Sequence, residues 1–149
     1  MTDTAKPVLR IGGASGFWGD SSVGAPQLVN SGLIDVLVFD YLAETTMAIL
    51  VAAQRKNPAL GYATDFVDAA LRQVLPDVLR RGIKVVANAG GVNPRGCAEA
   101  VARLADELGV NTQVAVVEGD DVRPLLPALR DRGLTEMFSG QPVPEKLAS

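Results

Sequence analysis

The chain has 149 residues, a net charge of -3 and 48% hydrophobic residues, which is the balance of one globular domain with a sizeable core. Its lysines and arginines form no basic stripe, which argues against nucleic acid as a partner, and no apolar run reaches the roughly 18–20 residues that span a bilayer. The N-terminal residues lack the apolar core of a signal peptide, so a cytoplasmic location is expected. One cysteine excludes an internal disulfide, and because histidine is absent, proton transfer falls to Asp, Glu, Lys, Tyr or that cysteine. No metal site is predicted.

Strands and helices are predicted to alternate along the chain. The expected elements are, in order, a strand at 8–11, a short helix at 25–32, a strand at 36–39, a helix at 45–56, a helix at 64–81, a strand at 84–87, a helix at 93–108, a strand at 113–117, a helix at 120–133 and a loop-like tail at 139–149. The strands are continuous apolar runs, which indicates burial on both faces, as in a parallel sheet covered by helices. The composition of 45–56 would also permit a strand.

Glycine and proline positions sharpen these boundaries. Gly32 and Gly82 are predicted to end helices, since glycine accepts the left-handed conformation found just past a helix. The pair Asn93–Pro94 is typical of a capped helix start. Pro76 lies inside an amphipathic stripe, which predicts a kink or break near residues 72–73.

Together these elements predict a single α/β domain over residues 1–149. Its sheet is expected to be mostly parallel, with about four strands and flanking helices in Rossmann-like layers. In open sheets of this kind, ligands bind outside the carboxyl ends of the strands. The segments that follow strands are therefore where the chemistry is expected.

The stretch IGGASGFWGDSS follows the first predicted strand and is rich in glycine. Glycines let backbone N–H groups approach an anion, and serine hydroxyls can donate to phosphate oxygens. The predicted ligand- or phosphate-binding residues here are Gly12, Gly13, Ala14, Ser15, Gly16, Ser21 and Ser22. The alternative is a tight strand-to-helix connection whose aromatic residues pack on the core. Trp18 is equally compatible with covering a ligand and with the core.

Polar residues also follow the other predicted strands. After the third strand, the ligand-binding candidates are Asn88, Gly90, Gly91 and Asn93, although the glycines would also suit a simple turn. After the second strand, Asp40 and Glu44 are candidate acid–base carboxylates; the alternative is a strand-end turn for Asp40 and a helix-dipole role for Glu44. The acidic residues at 118–121 would bind a cation or cap a helix, and Cys97 is expected in the core.

Three stretches carry a resemblance to a known family: GGASGFWGDS, FDYLAETTM and NAGGVNPRGCAEA. In this order and at these distances they resemble the N-terminal part of the acyclic terpene utilisation A family, over most of residues 8–133. Proteins of that family are associated with bacterial breakdown of branched, terpene-derived acids, such as those from citronellol and geraniol, through coenzyme A thioesters. Since family members are several times longer, the resemblance implies that the chain is an N-terminal fragment with an incomplete sheet or an unusually short member.

The leading hypothesis is an acyl-CoA catabolic enzyme domain that performs a hydratase- or lyase-type step, with Glu44 as the acid or base. The CoA thioester is the expected substrate, and no other cofactor is assigned. The expected partners are a small phosphate-bearing ligand and the remainder of the family's chain or another subunit, with no nucleic acid and no membrane, in an oligomer. Two alternatives stay open: a non-catalytic CoA- or nucleotide-binding subunit of a larger complex, and a structural α/β module.

Overall fold

A computed structural model describes residues 8–145 of the chain. The chain divides into two compact units, Met1–Val116 and Val117–Ser149. The first unit is an α/β structure that contains the whole sheet, and the second contains one short α-helix.

The sheet has three parallel strands: β1 (Ile11–Ser15), β2 (Val36–Phe39) and β3 (Lys84–Ala87). Their order is β1-β2-β3, with β2 in the centre. The predictions for β2 and β3 are confirmed, whereas the prediction of a first strand at 8–11 is wrong. Pairing with β2 sets the true position, because Ile11 lies beside Val36 and Ser15 beside Phe39, with an irregularity between Gly13 and Ser15. The first half of the glycine-rich stretch is therefore strand rather than loop.

The predicted fourth strand, at 113–117, is absent from the described residues, and the sheet has three strands instead of about four. A β-branched run becomes a strand only where its N–H and C=O groups pair with a neighbour, and 113–117 makes no ladder. Its side chains are largely exposed, with Val117 91% accessible. The apolar run at 113–117 indicates strand propensity, but it does not show whether a neighbouring strand is available for pairing.

Five α-helices occur in the described residues; four lie close to the predicted positions, whereas the last is shorter than the helix predicted at 120–133. They are α1 (Gly24–Ser31), α2 (Glu44–Lys56), α3 (Arg72–Arg81), α4 (Pro94–Glu107) and α5 (Leu126–Asp131). A π-helical segment, Phe66–Leu71, runs directly into α3, and a 3-10 turn, Arg123–Leu125, precedes α5. The change from π- to α-helix falls where the sequence predicts a break, four residues before Pro76. As predicted, Gly32 and Gly82 end α1 and α3 with φ of 68°.

The core lies on one face of the sheet, packed against α1, α3, α4 and the π-helical segment. Leu37 and Phe39 point into it and are 0% and 2% exposed. The prediction of burial on both faces is wrong, because Ile11 and Val86 on the other face are 62% and 56% exposed. No helix within residues 8–145 is long and apolar enough to cross a membrane.

Candidate functional site

Three polar segments meet at the carboxyl edge of the sheet. Because the strands are parallel, the segments after β1, β2 and β3 leave the same edge, as the sequence predicts for residues 12–22, 40–44 and 88–95, although residues 12–15 belong to β1 itself. The acidic residues at 118–121 follow no strand and belong to the second unit. There Asp121 is paired with Arg123 at 2.7 Å.

A small cavity of about 120 Å³ opens among the segment after β1, the end of β2 and the π-helical segment. Its lining residues are Gly19, Asp20, Ser21, Ser22, Tyr41, Asp65, Ala69 and Ala70. Sequence reasoning predicted Ser21 and Ser22 as site residues but missed Tyr41 and Asp65. Tyr41 directly follows Asp40 at a strand end, which was a usable signal, whereas Asp65 lies at the start of the predicted helix at 64–81 and follows no strand.

Tyr41 is a buried phenol whose ring packs in the core and whose side chain reaches the cavity. It is 3% exposed, and its ring centroid lies 5.8 Å from Phe39 and 6.1 Å from Phe66. Burial raises the pKa of Tyr41, the nearby charge of Asp65 raises it further, and the neighbouring Ser15 hydroxyl offsets part of this rise. The phenol therefore stays protonated at neutral pH and can donate a hydrogen bond.

Ser15, at the end of β1, is the one described residue with a buried side-chain polar atom that lacks a hydrogen-bond partner. Its side chain is beside Tyr41, yet the two hydroxyls do not meet in hydrogen-bonding geometry. Leaving a buried hydroxyl unsatisfied costs about 1–3 kcal/mol. Such a group calls for a functional or structural explanation.

Asp65 is held in place by the only tryptophan of the chain. The Trp18 indole N–H donates to Asp65 Oδ1 across 47 residues of sequence. This bond ties the segment after β1 to the start of the π-helical segment. Trp18 packs against the core and also positions a carboxylate that lines the cavity, whereas its role in covering a ligand stays a prediction.

The Asp20 carboxylate occupies part of the backbone of the segment after β1 where a phosphate was predicted to bind. The Gly16 N–H donates to Asp20 Oδ2 at 2.8 Å, and the N–H of Gly24 donates to Ser21 Oγ at 3.0 Å. The Asp20 carboxylate thus accepts from a backbone N–H that a phosphate would use. The Ser21 hydroxyl accepts from the N–H of the first residue of α1. No lysine or arginine is among the residues that line the cavity, and both Asp20 and Asp65 are.

The glycines of this stretch fall into two groups. A Cβ on Gly12 would lie 3.1 Å from Leu28 Cδ2 of α1, and one on Gly24 would lie 2.4 Å from the Ala14 carbonyl oxygen, so these two glycines allow α1 to pack on β1. A Cβ on Gly13 or Gly19 would meet nothing within 4 Å, and one on Gly16 would meet only Asp20 Oδ2 at 3.8 Å. Only the second group leaves space that a ligand could use.

The amide of Asn88 links the ends of β2 and β3. Its Nδ2 donates to Asp40 Oδ1 at 2.6 Å, and its Oδ1 accepts from the Tyr41 N–H at 2.7 Å. Asp40 and Asn88 are exposed at this edge, outside the cavity lining. Glu44 is the exposed first residue of α2, where a carboxylate favours the helix dipole.

The predicted ligand-binding residues after β3 serve mainly to pack this edge. A Cβ on Gly90 would lie 2.8 Å from Pro94 Cα, and one on Gly91 would lie 2.4 Å from Leu50 Cδ1 and 2.6 Å from the Gly61 carbonyl oxygen. Asn93 caps α4 through the Gly96 N–H, as predicted, and its Nδ2 donates to the Leu60 carbonyl at 3.0 Å.

A second, more open cavity of about 300 Å³ lies beside this cap. Its lining residues are Pro58, Ala59, Asn93, Arg95, Gly96, Glu99 and Arg103. The charged members sit one turn apart along α4, which is also the pattern of an ordinary solvated helix face.

Cys97 is buried on α4, and burial raises the pKa of its thiol to about 11. A thiol in this state is a poor nucleophile at neutral pH. Within residues 8–145, no group of three or more His, Cys, Asp or Glu side chains is placed to hold a metal ion.

The first unit is thus an α/β unit with a cavity at the carboxyl edge of its parallel strands. Open sheets of this class hold small ligands at that edge. The chain belongs to the acyclic terpene utilisation family: the model of the acyclic terpene utilisation family protein AtuA matches residues 9–148, most of its length. Membership implies a role in acyclic terpene utilisation. No curated protein and no solved structure shows significant similarity to the chain.

Proposed function

We propose that this chain forms part of a cytoplasmic enzyme that acts on acyl-CoA thioesters in acyclic terpene breakdown, through a hydration, dehydration or other lyase-type step. The observation that carries the proposal is the cavity at the carboxyl edge, whose lining includes a buried tyrosine, a positioned aspartate and two serines. Such groups exchange protons and hold polar substrate atoms without a histidine or a metal. Family membership supports the role in acyclic terpene utilisation, and the acyl thioester is the substrate that we propose within that role.

The acyl end of the substrate is the part that suits this cavity. Two carboxylates line it, and no cationic side chain is among the lining residues, so a diphosphate would be repelled there. Within this proposal Asp40 and Glu44 remain acid–base candidates at the same edge, and the remainder of the enzyme, from a longer chain, another subunit or an oligomer, completes the site.

A second candidate is a non-catalytic CoA- or nucleotide-binding subunit. The open space at Gly13, Gly16 and Gly19 favours it, because a phosphate could approach the backbone there. In this case the phosphate must displace the Asp20 carboxylate from the Gly16 N–H. The pantetheine arm separates the phosphates from the thioester, so the two candidates place opposite ends of CoA at this segment.

The test measures thermal unfolding with CoA, butyryl-CoA, crotonyl-CoA and pyrophosphate, together with hydration of crotonyl-CoA. A ligand at 100 times its Kd should stabilise the folded protein by about 2.7 kcal/mol. Stabilisation by acyl-CoA with turnover supports the enzyme, and stabilisation by pyrophosphate and CoA alone supports the binding subunit. Asp20→Asn should strengthen pyrophosphate binding only in the second case, with Asp131→Asn on α5 as the control. Absence of any response would contradict both candidates.

A further inference from the structure

The Ser15 hydroxyl has no assigned task in the packing of the domain. It is 9% exposed at the end of β1 and makes no hydrogen bond among the described residues. An alanine would occupy the same position without burying an unpaired polar atom. Its neighbour Tyr41 is a second buried hydroxyl that reaches the cavity.

We propose that Ser15, Tyr41 and Asp65 form a binding site for a neutral hydroxyl group, which receives the hydroxyl-bearing acyl end of the substrate. The inference rests on the acyl-thioester function proposed above and names the part of the substrate that enters the cavity. The ligand O–H donates to the Asp65 carboxylate, and its oxygen accepts from the Tyr41 O–H. Once the site is filled, the Ser15 O–H donates to the Tyr41 phenol oxygen, so that the single phenol hydrogen is directed to the ligand oxygen.

The chemistry of the lining selects a hydroxyl over other groups. An anion would meet the carboxylates of Asp20 and Asp65 with no cation among the lining residues. A carbonyl oxygen can accept from Tyr41 but has no hydrogen for Asp65, whereas a hydroxyl both donates and accepts. Because the pKa of Tyr41 is raised, its phenol remains a donor at neutral pH.

The surrounding structure holds the two principal groups in place. The Trp18 indole fixes Asp65, and the ring of Tyr41 packs against the rings of Phe39 and Phe66. Ala69 and Ala70 form part of the wall, and their short side chains leave room in a cavity of about 120 Å³. This volume suits the end of an acyl chain rather than a nucleotide.

Fluorescence of Trp18 provides the assay, since it is the only tryptophan and bonds to Asp65. The probes are 3-hydroxybutyryl-N-acetylcysteamine and butyryl-N-acetylcysteamine, which differ by one hydroxyl and carry no phosphate. Two hydrogen bonds to the hydroxyl should make the hydroxylated probe bind about tenfold more tightly. Tyr41→Phe and Ser15→Ala should reduce this ratio to about one, and Tyr62→Phe, which changes the other tyrosine, should leave it unchanged.

The Ser15→Ala variant gives a second, independent readout. Its melting temperature without ligand should rise, because an unpaired buried hydroxyl is removed, while its selectivity for the hydroxylated probe is lost. A lower melting temperature, equal binding of the two probes by the wild type, or no binding of either would overturn the inference. Hydroxyl selectivity without any CoA binding or turnover would instead refute the enzyme proposal and leave this site intact.

Discussion

Two glycines only 11 residues apart should respond to the same substitution in opposite directions. In Gly24→Ala, the new Cβ would lie 2.4 Å from the Ala14 carbonyl oxygen and 3.3 Å from its carbonyl carbon. Both contacts are with backbone, so α1 must move away from β1. Overpacking of this kind costs about 1–3 kcal/mol, and the higher helix propensity of alanine returns at most about 1 kcal/mol. A net loss of about 1–2 kcal/mol should lower the Tm by about 2–8 °C.

Gly13→Ala should stabilise the protein. Its Cβ would meet nothing within 4 Å on the uncovered face of the sheet, and Gly13 is not among the glycines with positive φ. The substitution mainly restricts the unfolded chain, which is worth about 0.4–1 kcal/mol, or about 1–4 °C in Tm. Thermal unfolding followed by circular dichroism measures both variants. A neutral Gly24→Ala would refute the close contact of α1 with β1, and a destabilised Gly13→Ala would refute the open face.

Three further predictions concern single residues. Cys97 should resist a thiol reagent in the native protein, because burial raises the pKa of its thiol to about 11. It should react quickly once urea unfolds the chain, and fast labelling of the native protein would contradict its burial. Asn93→Ala should lower the free energy of unfolding by about 1–3 kcal/mol in urea titrations, since it removes the cap of α4 and the bond to Leu60; a loss under about 0.5 kcal/mol would contradict the cap. Asp121 should titrate near pH 2 by carbon NMR, because Arg123 lowers its pKa from 3.8 to about 2. Since the pKa of Asp121 is lower in the folded than in the unfolded protein, this pair contributes stability above about pH 4 that is lost as the pH falls toward 2. Arg123→Ala should return the pKa of Asp121 toward 3.8, and an unchanged pKa would contradict the pairing.

The sequence predicts helix positions in this fold better than it predicts which strands form. Helix boundaries are local, so the glycines at 32 and 82 and the Asn93 cap mark them correctly. Strands depend on distant partners, and pairing with β2 draws the glycines of β1 into the sheet despite their low strand propensity. The apolar run at 113–117 has the propensity but no ladder. Continuous apolar strands also suggested two covered faces, yet one face stays exposed.

The candidate site was predicted in part, because the rule that ligands bind after parallel strands identifies an edge and not a cavity. The rule selects Ser21 and Ser22, which line the cavity, and Ser15, which lies beside Tyr41. It also selects Asp40 and Asn88, which bond to each other at the edge. Asp65 follows no strand, so strand-end reasoning had no means of finding it.

The position of Asp65 depends on the segment after β3, which explains the glycines there. The Ala63 N–H donates to the Ala89 carbonyl at 2.8 Å, and the Val92 N–H donates to the Gly61 carbonyl at 2.9 Å. These bonds bring residues 61–63 against the carboxyl edge, two residues before Asp65. A side chain on Gly91 would collide with the same Gly61 carbonyl, so only glycine permits this approach. Gly91 therefore helps to position Asp65 through the packing of the segment after β3, and this packing explains the glycine whether or not a ligand also touches it.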